Sequence, residues 1–161
     1  MSRSSSADPR PISVLFVCLG NICRSPLAEG VFLHRAREAG VLDRFHVDSA
    51  GTGDWHAGEP ADARMSAVAE GRGVKLPSRA RQVRDEDWTQ FDHVLCMDRD
   101  NLDRVRTMGA PHDRTHLFLS VLDDPAHVEV PDPYYGGPEG FELVHDLADR
   151  AVAAWLERWL G

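Results

Sequence analysis

The sequence predicts one α/β domain, in which a four-stranded parallel sheet is covered by helices on both faces. Four short apolar runs with strand character alternate along the chain with segments of helical periodicity, and this alternation is typical of parallel sheets. A length of 161 residues and a hydrophobic content of 42% suit a single globular domain with a substantial core. In such folds ligands bind beyond the carboxyl ends of the strands, so the segments that follow the strands are the most informative.

The first half of the chain contains two predicted strands and two predicted helices. The apolar run Ile12–Val17 is the first strand, and Phe45–Ala50, with alternating Phe, Val and Ser, is the second. The helix Pro26–Ala39 lies between them and ends at Gly40. A second helix, Ala61–Glu70, ends at a Gly-Arg-Gly sequence. The apolar residues near one face of the first helix are Ala28, Val31, Phe32 and Ala39.

The second half supplies two more strands and three more helices. A short helix is expected at Asp85–Thr89, a core strand at His93–Met97, and a helix at about Arg99–Met108. Thr115–Leu119 is the fourth strand, and Glu139–Leu160 is a long closing helix. The apolar stripe of this last helix is interpreted as core packing and consists of Phe141, Val144, Ala148, Val152, Trp155 and Trp159.

Composition limits the compartment and the partners. Residues Met1–Pro11 are rich in Ser, Arg and Pro and are predicted to be a disordered leader, which leaves 12–161 as the domain. The net charge of −8 argues against nucleic acid as a partner, and no apolar run approaches a membrane span or a secretion signal. The three cysteines include no C-x-x-C pair, so we expect a reducing, cytoplasmic location, with secretion by a non-standard route left open.

The most informative segment joins the first strand to the first helix. Cys18 ends the strand, five residues form a loop, and Arg24 lies where the helix begins. Amides of such a loop and of the helix N-terminus point inward, and the helix dipole adds positive potential. We therefore expect an anion cradle with Cys18 at its floor as a thiolate, and with Arg24 offering two parallel N–H donors to a phosphate. The expected phosphate-binding residues are Leu19, Gly20, Asn21, Ile22, Cys23, Arg24 and Ser25.

The small and polar residues of this loop suit its shape. Gly20 and Asn21 tolerate the positive φ that a tight loop of inward-facing amides requires. Ser25 is expected to cap the helix, with its hydroxyl also within reach of the Cys18 sulfur, and Pro26 suits the first helical position. The alternative, a buried core cysteine at position 18, does not explain why these residue types meet at a strand-to-helix junction.

A proline-rich loop, Asp123–Pro138, contains a candidate proton donor. Asp132 lies between Pro131 and Pro133, which stiffen the chain around its carboxyl group. An Asp-Pro pair without further context is more often a simple turn. The aromatic residues that follow favour the functional interpretation.

Aromatic side chains on two loops are candidates for the walls of a binding slot. Tyr134 and Tyr135, the only tyrosines of the chain, follow Asp132 directly and either wall a slot for a flat ring or anchor the loop. Trp55, in the Gly-rich loop 51–60, is a candidate for the facing wall, or else a half-buried anchor.

With these motifs together, the chain resembles the low-molecular-weight protein tyrosine phosphatases. The matching segments, in the family's order, are 17–26 (VCLGNICRSP), 48–52 (DSAGT), 95–98 (LCMD) and 132–136 (DPYYG). The resemblance runs from about residue 12 to the end of the chain. It implies a flavodoxin-like phosphatase fold and an enzyme that hydrolyses phosphotyrosine and small aryl phosphates.

The expected mechanism has two steps, and the family uses the same positions for the same roles. Cys18 attacks phosphorus while Arg24 and the loop amides hold the oxygens, and Asp132 protonates the leaving phenolic oxygen. Asp132 then deprotonates the water that hydrolyses the cysteinyl-phosphate. No metal or cofactor is expected, and His112 and His116 are interpreted as surface residues. The expected partners are phosphotyrosine-containing proteins, with inorganic phosphate as product inhibitor.

The resemblance also implies roles around the loop. Ser49 would hold the loop through a hydrogen bond, and Ser78 stands where the family often has a histidine. Asp98 is expected at a helix start and also facing the site. Cys23 is a candidate partner for oxidised Cys18 in a disulfide, or else a small packing residue.

Three other functions share some of these residues. A thiol-dependent arsenate reductase on the same fold needs a relay of further cysteines, and none follows Cys96. A protein-arginine phosphatase is associated in this family with a small polar residue at position 22, where this chain has Ile22. A non-catalytic phosphate-binding module would not need Cys18, Arg24 and Asp132 together.

Overall fold

The fold is organised by a four-stranded parallel sheet. The computed structural model describes residues 10–134 and 136–161, so nearly all of the predicted leader lies outside the described residues. The strands are β1 (Ile12–Cys18), β2 (Phe45–Gly51), β3 (His93–Cys96) and β4 (Thr115–Leu117). All pair in parallel, in the order β2-β1-β3-β4. This is the start of the flavodoxin-like order, and it confirms the predicted fold class.

Helices cover both faces of the sheet. They are α1 (Arg24–Glu38), α2 (Ala63–Gly71), α3 (Asp87–Gln90), α4 (Arg99–Thr107) and α5 (Pro138–Leu160). Successive residues of β1 point to opposite sides: Val14 and Phe16 join one apolar cluster, and Leu15 and Val17 join the other. The first cluster contains residues of α1, α2 and α5, and the second contains residues of α3 and α4. The central strand is therefore buried on both sides, as its continuous apolar run predicts.

The first helix begins earlier than predicted. The Leu27 N–H donates to the Cys23 carbonyl at 3.1 Å, which closes a helical turn over Arg24 and Ser25. Ser25 is thus inside the first turn and is not the cap, and Pro26 is not the first helical residue. At the other end, Ala39 was expected on the apolar face, but it follows the last helical residue and is exposed. Ala36 is buried on that face instead.

The fourth strand is shorter than predicted. It ends at Leu117, and the apolar residues that follow form a 3₁₀ helix, Phe118–Leu122. The Phe118 carbonyl accepts a hydrogen bond from Trp155 Nε1 of α5 at 2.8 Å, so α5 takes up a backbone group that a longer strand would have paired. The predicted stripe of α5 packs in the first cluster, with Trp159 partly buried at its end.

Candidate active site

The segment between β1 and α1 forms a closed turn at the carboxyl end of the central strand. Cys18 is the last residue of β1, and residues 19–23 lead directly into α1. Neighbouring loops hold the turn from outside: the Gly53 N–H donates to the Leu19 carbonyl at 3.0 Å, and the Asp62 N–H donates to the Ile22 carbonyl at 2.7 Å. These carbonyls are thus bonded outward, and the Asn21 N–H points inward to the Cys18 sulfur.

The Cys18 sulfur is buried and receives hydrogen bonds from two sides. The Asn21 backbone N–H lies 3.3 Å from Cys18 Sγ, and the Ser25 hydroxyl lies 2.9 Å from it. Ser25 Oγ also accepts a hydrogen bond from Asn21 Nδ2 at 2.8 Å, so its own proton is available to an acceptor, and the Cys18 sulfur at 2.9 Å is nearer than the Ala50 carbonyl at 3.5 Å. Both contacts stabilise negative charge on the sulfur, as a nucleophilic thiolate requires.

The backbone of the turn corrects one expectation from the sequence. Asn21 has a left-handed conformation, with φ of 58°, as predicted. Gly20 does not have a positive φ, so the backbone conformation does not explain why a glycine occupies this position. A Cβ on Gly20 would lie 3.0 Å from Cδ2 of His56, so the glycine allows this ring to approach the turn closely.

A buried polar network fixes the Asn21 side chain. Asn21 Nδ2 donates to Ser49 Oγ at 3.0 Å, and Asn21 Oδ1 accepts from the Arg81 backbone N–H at 3.0 Å. The Ser49 hydroxyl in turn donates to Glu29 Oε1 at 2.6 Å, and Ser78 Oγ lies 3.5 Å from Ser49 Oγ. The hydrogen bond that the resemblance implied for Ser49 is present, and a chain of contacts links Glu29 to Cys18.

Glu29 was not singled out by sequence reasoning. It lies on α1 and is only 5% exposed. Burial raises the pKa of its carboxyl above the usual range, hydrogen bonds from Ser49 and Ser78 oppose the shift, and Asp48 adds to it. Its position could not be read from the pattern because a Glu in an amphipathic helix is normally assigned to the solvent face.

Arg24 is held in place before any ligand binds. Its side chain is buried, and NH1 donates to Asp98 Oδ2 at 2.7 Å and to the Val130 carbonyl at 3.1 Å. Its pKa is raised: burial disfavours the charged guanidinium, but the Cys18 sulfur and Asp98 favour it more strongly. Asp98 also forms a reciprocal cap with Asn101 at the start of α4. Asp98 therefore lies at the start of a helix and also faces Arg24 of the site, as the sequence suggested.

Asp132 meets Cys18 across a cavity of about 290 Å³. One carboxylate oxygen of Asp132 lies 3.7 Å from Arg24 NH2, and the other accepts the Tyr134 N–H at 3.0 Å. The Asp132 side chain is 42% exposed, so it stands at the mouth, whereas Cys18 is buried at the floor. The lining residues are Cys18, Leu19, Gly20, Ile22, Cys23, Arg24, Trp55, His56, Asp132 and Tyr134.

The cavity walls include the aromatic residues that were expected there. Trp55 lines the cavity and is 67% exposed, and Tyr134 lines it and is half-buried. Tyr135 lies outside the described residues. A Cβ on Gly53 would collide with the Trp55 ring at 1.8 Å, so the glycine makes room for this ring in its observed position.

His56 is a cavity residue that sequence reasoning missed. Its Nδ1 lies 3.1 Å from Glu59 Oε1, and its ring centroid lies 6.3 Å from that of Tyr134. The signal in the sequence that could have pointed to His56 was its position next to Trp55. Loops have no periodicity, however, and sequence alone does not say which of two adjacent loop side chains faces a site.

Cys23 lines the same cavity but has a different environment from Cys18. It is buried, and its pKa is raised to about 12, first by burial and then by the charges of Asp62 and Cys18. Cys96 lies in β3, and burial raises its pKa as well. The cysteines of the described residues are all free thiols.

Residues 10–134 and 136–161 contain neither a cluster of metal-binding side chains nor a helix that could span a membrane. These residues contain no group of three or more His, Cys, Asp or Glu side chains that could hold a metal ion. Within the same ranges, no helix is both long and apolar enough to cross a membrane.

The chain is similar to several known phosphatases. A family model described as low molecular weight phosphotyrosine protein phosphatase matches residues 13–159. A low molecular weight protein-tyrosine-phosphatase of Streptomyces coelicolor is 43% identical over 149 residues, covering 89% of this chain and 90% of that protein. A protein tyrosine phosphatase structure from Entamoeba histolytica matches with a TM-score of 0.88 at 36% identity, covering 92% of this chain and 97% of that one. A Drosophila arginine phosphatase matches with a TM-score of 0.87 at 28% identity, covering 92% and 98%. The chain therefore belongs to the low-molecular-weight phosphotyrosine protein phosphatase family, as its motifs predicted.

Proposed function

We propose that this protein is a protein-tyrosine phosphatase that hydrolyses phosphotyrosine in proteins, and small aryl phosphates, through a cysteinyl-phosphate intermediate. One observation carries the proposal. The Cys18 sulfur lies between two hydrogen-bond donors at the floor of a cavity whose mouth holds a carboxyl group, Asp132, and aromatic walls, Trp55 and Tyr134. A nucleophile, a proton donor and a slot for a flat ring are the parts that this reaction needs.

In the first step, the Cys18 thiolate forms a bond to phosphorus as the bond from phosphorus to the phenolic oxygen breaks. Arg24 and the inward-facing amides hold the equatorial oxygens, where charge is redistributed in the transition state. Asp132 gives its proton to the departing phenolic oxygen. The buried sulfur and the exposed Asp132 carboxyl line the same cavity, so one can reach the phosphorus while the other reaches the oxygen on its outer side.

In the second step, Asp132 is a carboxylate and takes a proton from water. That water attacks phosphorus, the bond to sulfur breaks, and Cys18 leaves as the thiolate that the Asn21 N–H and the Ser25 hydroxyl stabilise. The products are inorganic phosphate and the free enzyme. Phosphate binds the same donors as the substrate, so we expect product inhibition, and the proposed cycle needs neither a metal nor a cofactor.

The same fold also serves an arginine phosphatase, so the substrate class rests on the walls of the cavity. Ile22 places an apolar side chain in the lining, where it offers no acceptor to the N–H groups of a guanidinium, and Trp55 and Tyr134 add flat surface on which a phenyl ring can pack. The other alternative, an arsenate reductase, is less well supported because Cys96 is fully buried in β3, an interior strand of the sheet, and no further cysteine follows it to complete a thiol relay.

The proposed partners are phosphotyrosine-containing proteins in the cytoplasm, and neither nucleic acid nor membrane is proposed. A reduced state of the cysteines is required for the Cys18 chemistry, and the described cysteines are all free.

The test is turnover of three matched peptides, which carry phosphotyrosine, phosphoserine or phosphoarginine at the same position. We expect the highest kcat/KM for phosphotyrosine, because a short seryl phosphate does not reach the Cys18 sulfur from the mouth. Cys18→Ser is the control and should lose turnover by several orders of magnitude with its fold intact. Equal rates for phosphoserine, a preference for phosphoarginine, or activity in Cys18→Ser would each contradict the proposal.

A further inference from the structure

The loop that carries Asp132 is held by the backbone of Val130, two residues before the acid. The Val130 N–H donates to the Met97 carbonyl at 2.8 Å, and the Val130 carbonyl accepts from Arg24 NH1 at 3.1 Å. Asp132 itself is exposed at the mouth. A carboxyl group in such a place needs a second anchor after it if its proton is to be delivered to a fixed point.

Arg64, in the first turn of α2, supplies a contact of this kind. Its Nε and NH2 bind both carboxylate oxygens of Asp62, at 3.2 and 2.9 Å. The remaining terminal nitrogen, NH1, donates to the Tyr134 carbonyl at 3.1 Å. The guanidinium carbon also lies 5.2 Å from the centroid of the Tyr134 ring and 4.8 Å from that of Phe141 on α5. A planar group with five donors can make all these contacts at once.

Tyr134 connects this arginine to the proposed acid. Its carbonyl is bound by Arg64, while its own N–H donates to Asp132 Oδ1 at 3.0 Å. The two backbone groups of Tyr134 thus bind different residues: its carbonyl binds Arg64, and its N–H binds Asp132. A shift of Tyr134 would carry the Asp132 carboxyl with it.

The segment that holds Arg64 also contacts residues 19–23, the loop between β1 and α1, which we call the phosphate loop. Asp62, which orients Arg64, caps α2 by accepting the N–H groups of Arg64 and Met65. The Asp62 backbone N–H donates to the Ile22 carbonyl at 2.7 Å. The same short segment therefore touches the loop that holds the phosphate and the loop that holds the proton donor.

We propose that Arg64 is a positioning residue that sets the place of Asp132 relative to the phosphate loop, acting through Tyr134. This inference rests on the proposed role of Asp132 as the general acid. Arg64 does not touch the reacting atoms in this arrangement. It fixes the distance between nucleophile and proton donor by bridging the two loops.

The test measures kcat/KM for a series of aryl phosphates whose leaving groups differ in basicity. This constant reports the steps up to formation of the cysteinyl-phosphate, and a misplaced acid slows the departure of basic leaving groups most. In Arg64→Met, we expect kcat/KM for phenyl phosphate to fall by about 10- to 100-fold, the effect of a displacement of about 1 Å, and kcat/KM for dinitrophenyl phosphate to change little. Arg64→Lys should recover only part of the loss, because an ammonium cannot reproduce the forked contact.

Two further variants separate positioning from a general loss of stability. Arg72→Met removes ion pairs from the end of α2 to Glu142 and Asp146 of α5 but leaves Tyr134 untouched, so it should show no dependence on the leaving group. In an Asp132→Ala background, Arg64→Met should add almost nothing, since both act on the same proton transfer. Inhibition by inorganic phosphate should be unchanged in Arg64→Met.

The outcomes distinguish this proposal from the one on which it rests. If Asp132→Ala shows the leaving-group dependence but Arg64→Met slows all substrates equally, or if the two losses multiply, the positioning role is wrong and the general acid stands. If Asp132→Ala itself slows all leaving groups equally, the general acid is wrong and the positioning role falls with it.

Discussion

Cys18 and Cys23 line one cavity but have different surroundings. The Cys18 sulfur faces hydrogen-bond donors, whereas burial and the charges of Asp62 and Cys18 raise the pKa of Cys23 to about 12. One thiol of the pair is thus prepared to react and the other is kept protonated. Oxidation of Cys18 to a neutral sulfenic acid would remove one of the charges that hold the proton on Cys23.

The position of both thiols in one cavity predicts reversible inactivation by peroxide. Peroxide converts Cys18 to a sulfenic acid, and the Cys23 thiol then condenses with it to give a disulfide and water. Wild type should regain activity with dithiothreitol, and mass spectrometry should find a Cys18–Cys23 bond. Cys23→Ser should instead progress to sulfinic and sulfonic acids. Full recovery of this variant would show that Cys23 is a packing residue, and bound phosphate should slow the oxidation in both proteins.

At the scale of elements, helix α1 contributes a buried carboxyl group, that of Glu29, as well as an apolar face. Glu29 points from this helix into a network of hydroxyl and amide groups that ends at the loop between β1 and α1. Its carboxyl lacks a hydrogen bond from any cationic side chain among the described residues, although the charge of Arg81 favours ionisation. Burial dominates, and the pKa is raised.

The raised pKa of Glu29 predicts a specific pH dependence of stability. Above the usual carboxyl pKa of about 4.5, the unfolded chain releases its proton while the folded protein retains it, so the free energy of unfolding falls as pH rises through this range. Glu29→Gln, which keeps an acceptor for the Ser49 hydroxyl, should remove this loss of stability at higher pH. We expect the Tm of this variant to exceed that of wild type at pH 7 and to match it near pH 4. A Tm increase that is equal at both pH values would contradict the explanation.

At the scale of the whole molecule, the sheet brings distant residues together in a way that sequence could only partly predict. The identity of the strands follows from apolar runs and alternation, so the fold class and the place of Cys18 were predictable, whereas the spatial order of the strands comes from the structure. The meeting of Asp132 with Cys18 was inferred from motifs, because no local rule relates positions so far apart. The contacts of the loop residue His56 were not predictable, since loops have no period that fixes direction. The contact of Arg64 was not predictable either, because its partner, the Tyr134 carbonyl, lies on such a loop.

The enclosed anion site also predicts stabilisation of the entire fold by its product. A ligand that binds the native state alone raises the free energy of unfolding by about 2.7 kcal/mol at a concentration 100 times its Kd. For a domain of this size, inorganic phosphate at that level should raise Tm by about 5–10 °C. Sodium chloride at equal ionic strength is the control. In Arg24→Lys, which keeps the charge but loses the fork, the shift should shrink markedly. An undiminished shift would place the phosphate elsewhere.

The exposure of Trp55 has an optical consequence. The chain has four tryptophans, of which Trp88 and Trp155 are buried and Trp159 is partly buried. Trp55 alone among these stands 67% open to solvent, at the wall of the cavity. A water-soluble quencher such as acrylamide therefore reaches its indole first, and an aryl ligand in the cavity would shield it. The protein's own fluorescence thus reports occupancy, and it can measure ligand affinity in variants such as Cys18→Ser in which turnover gives no signal.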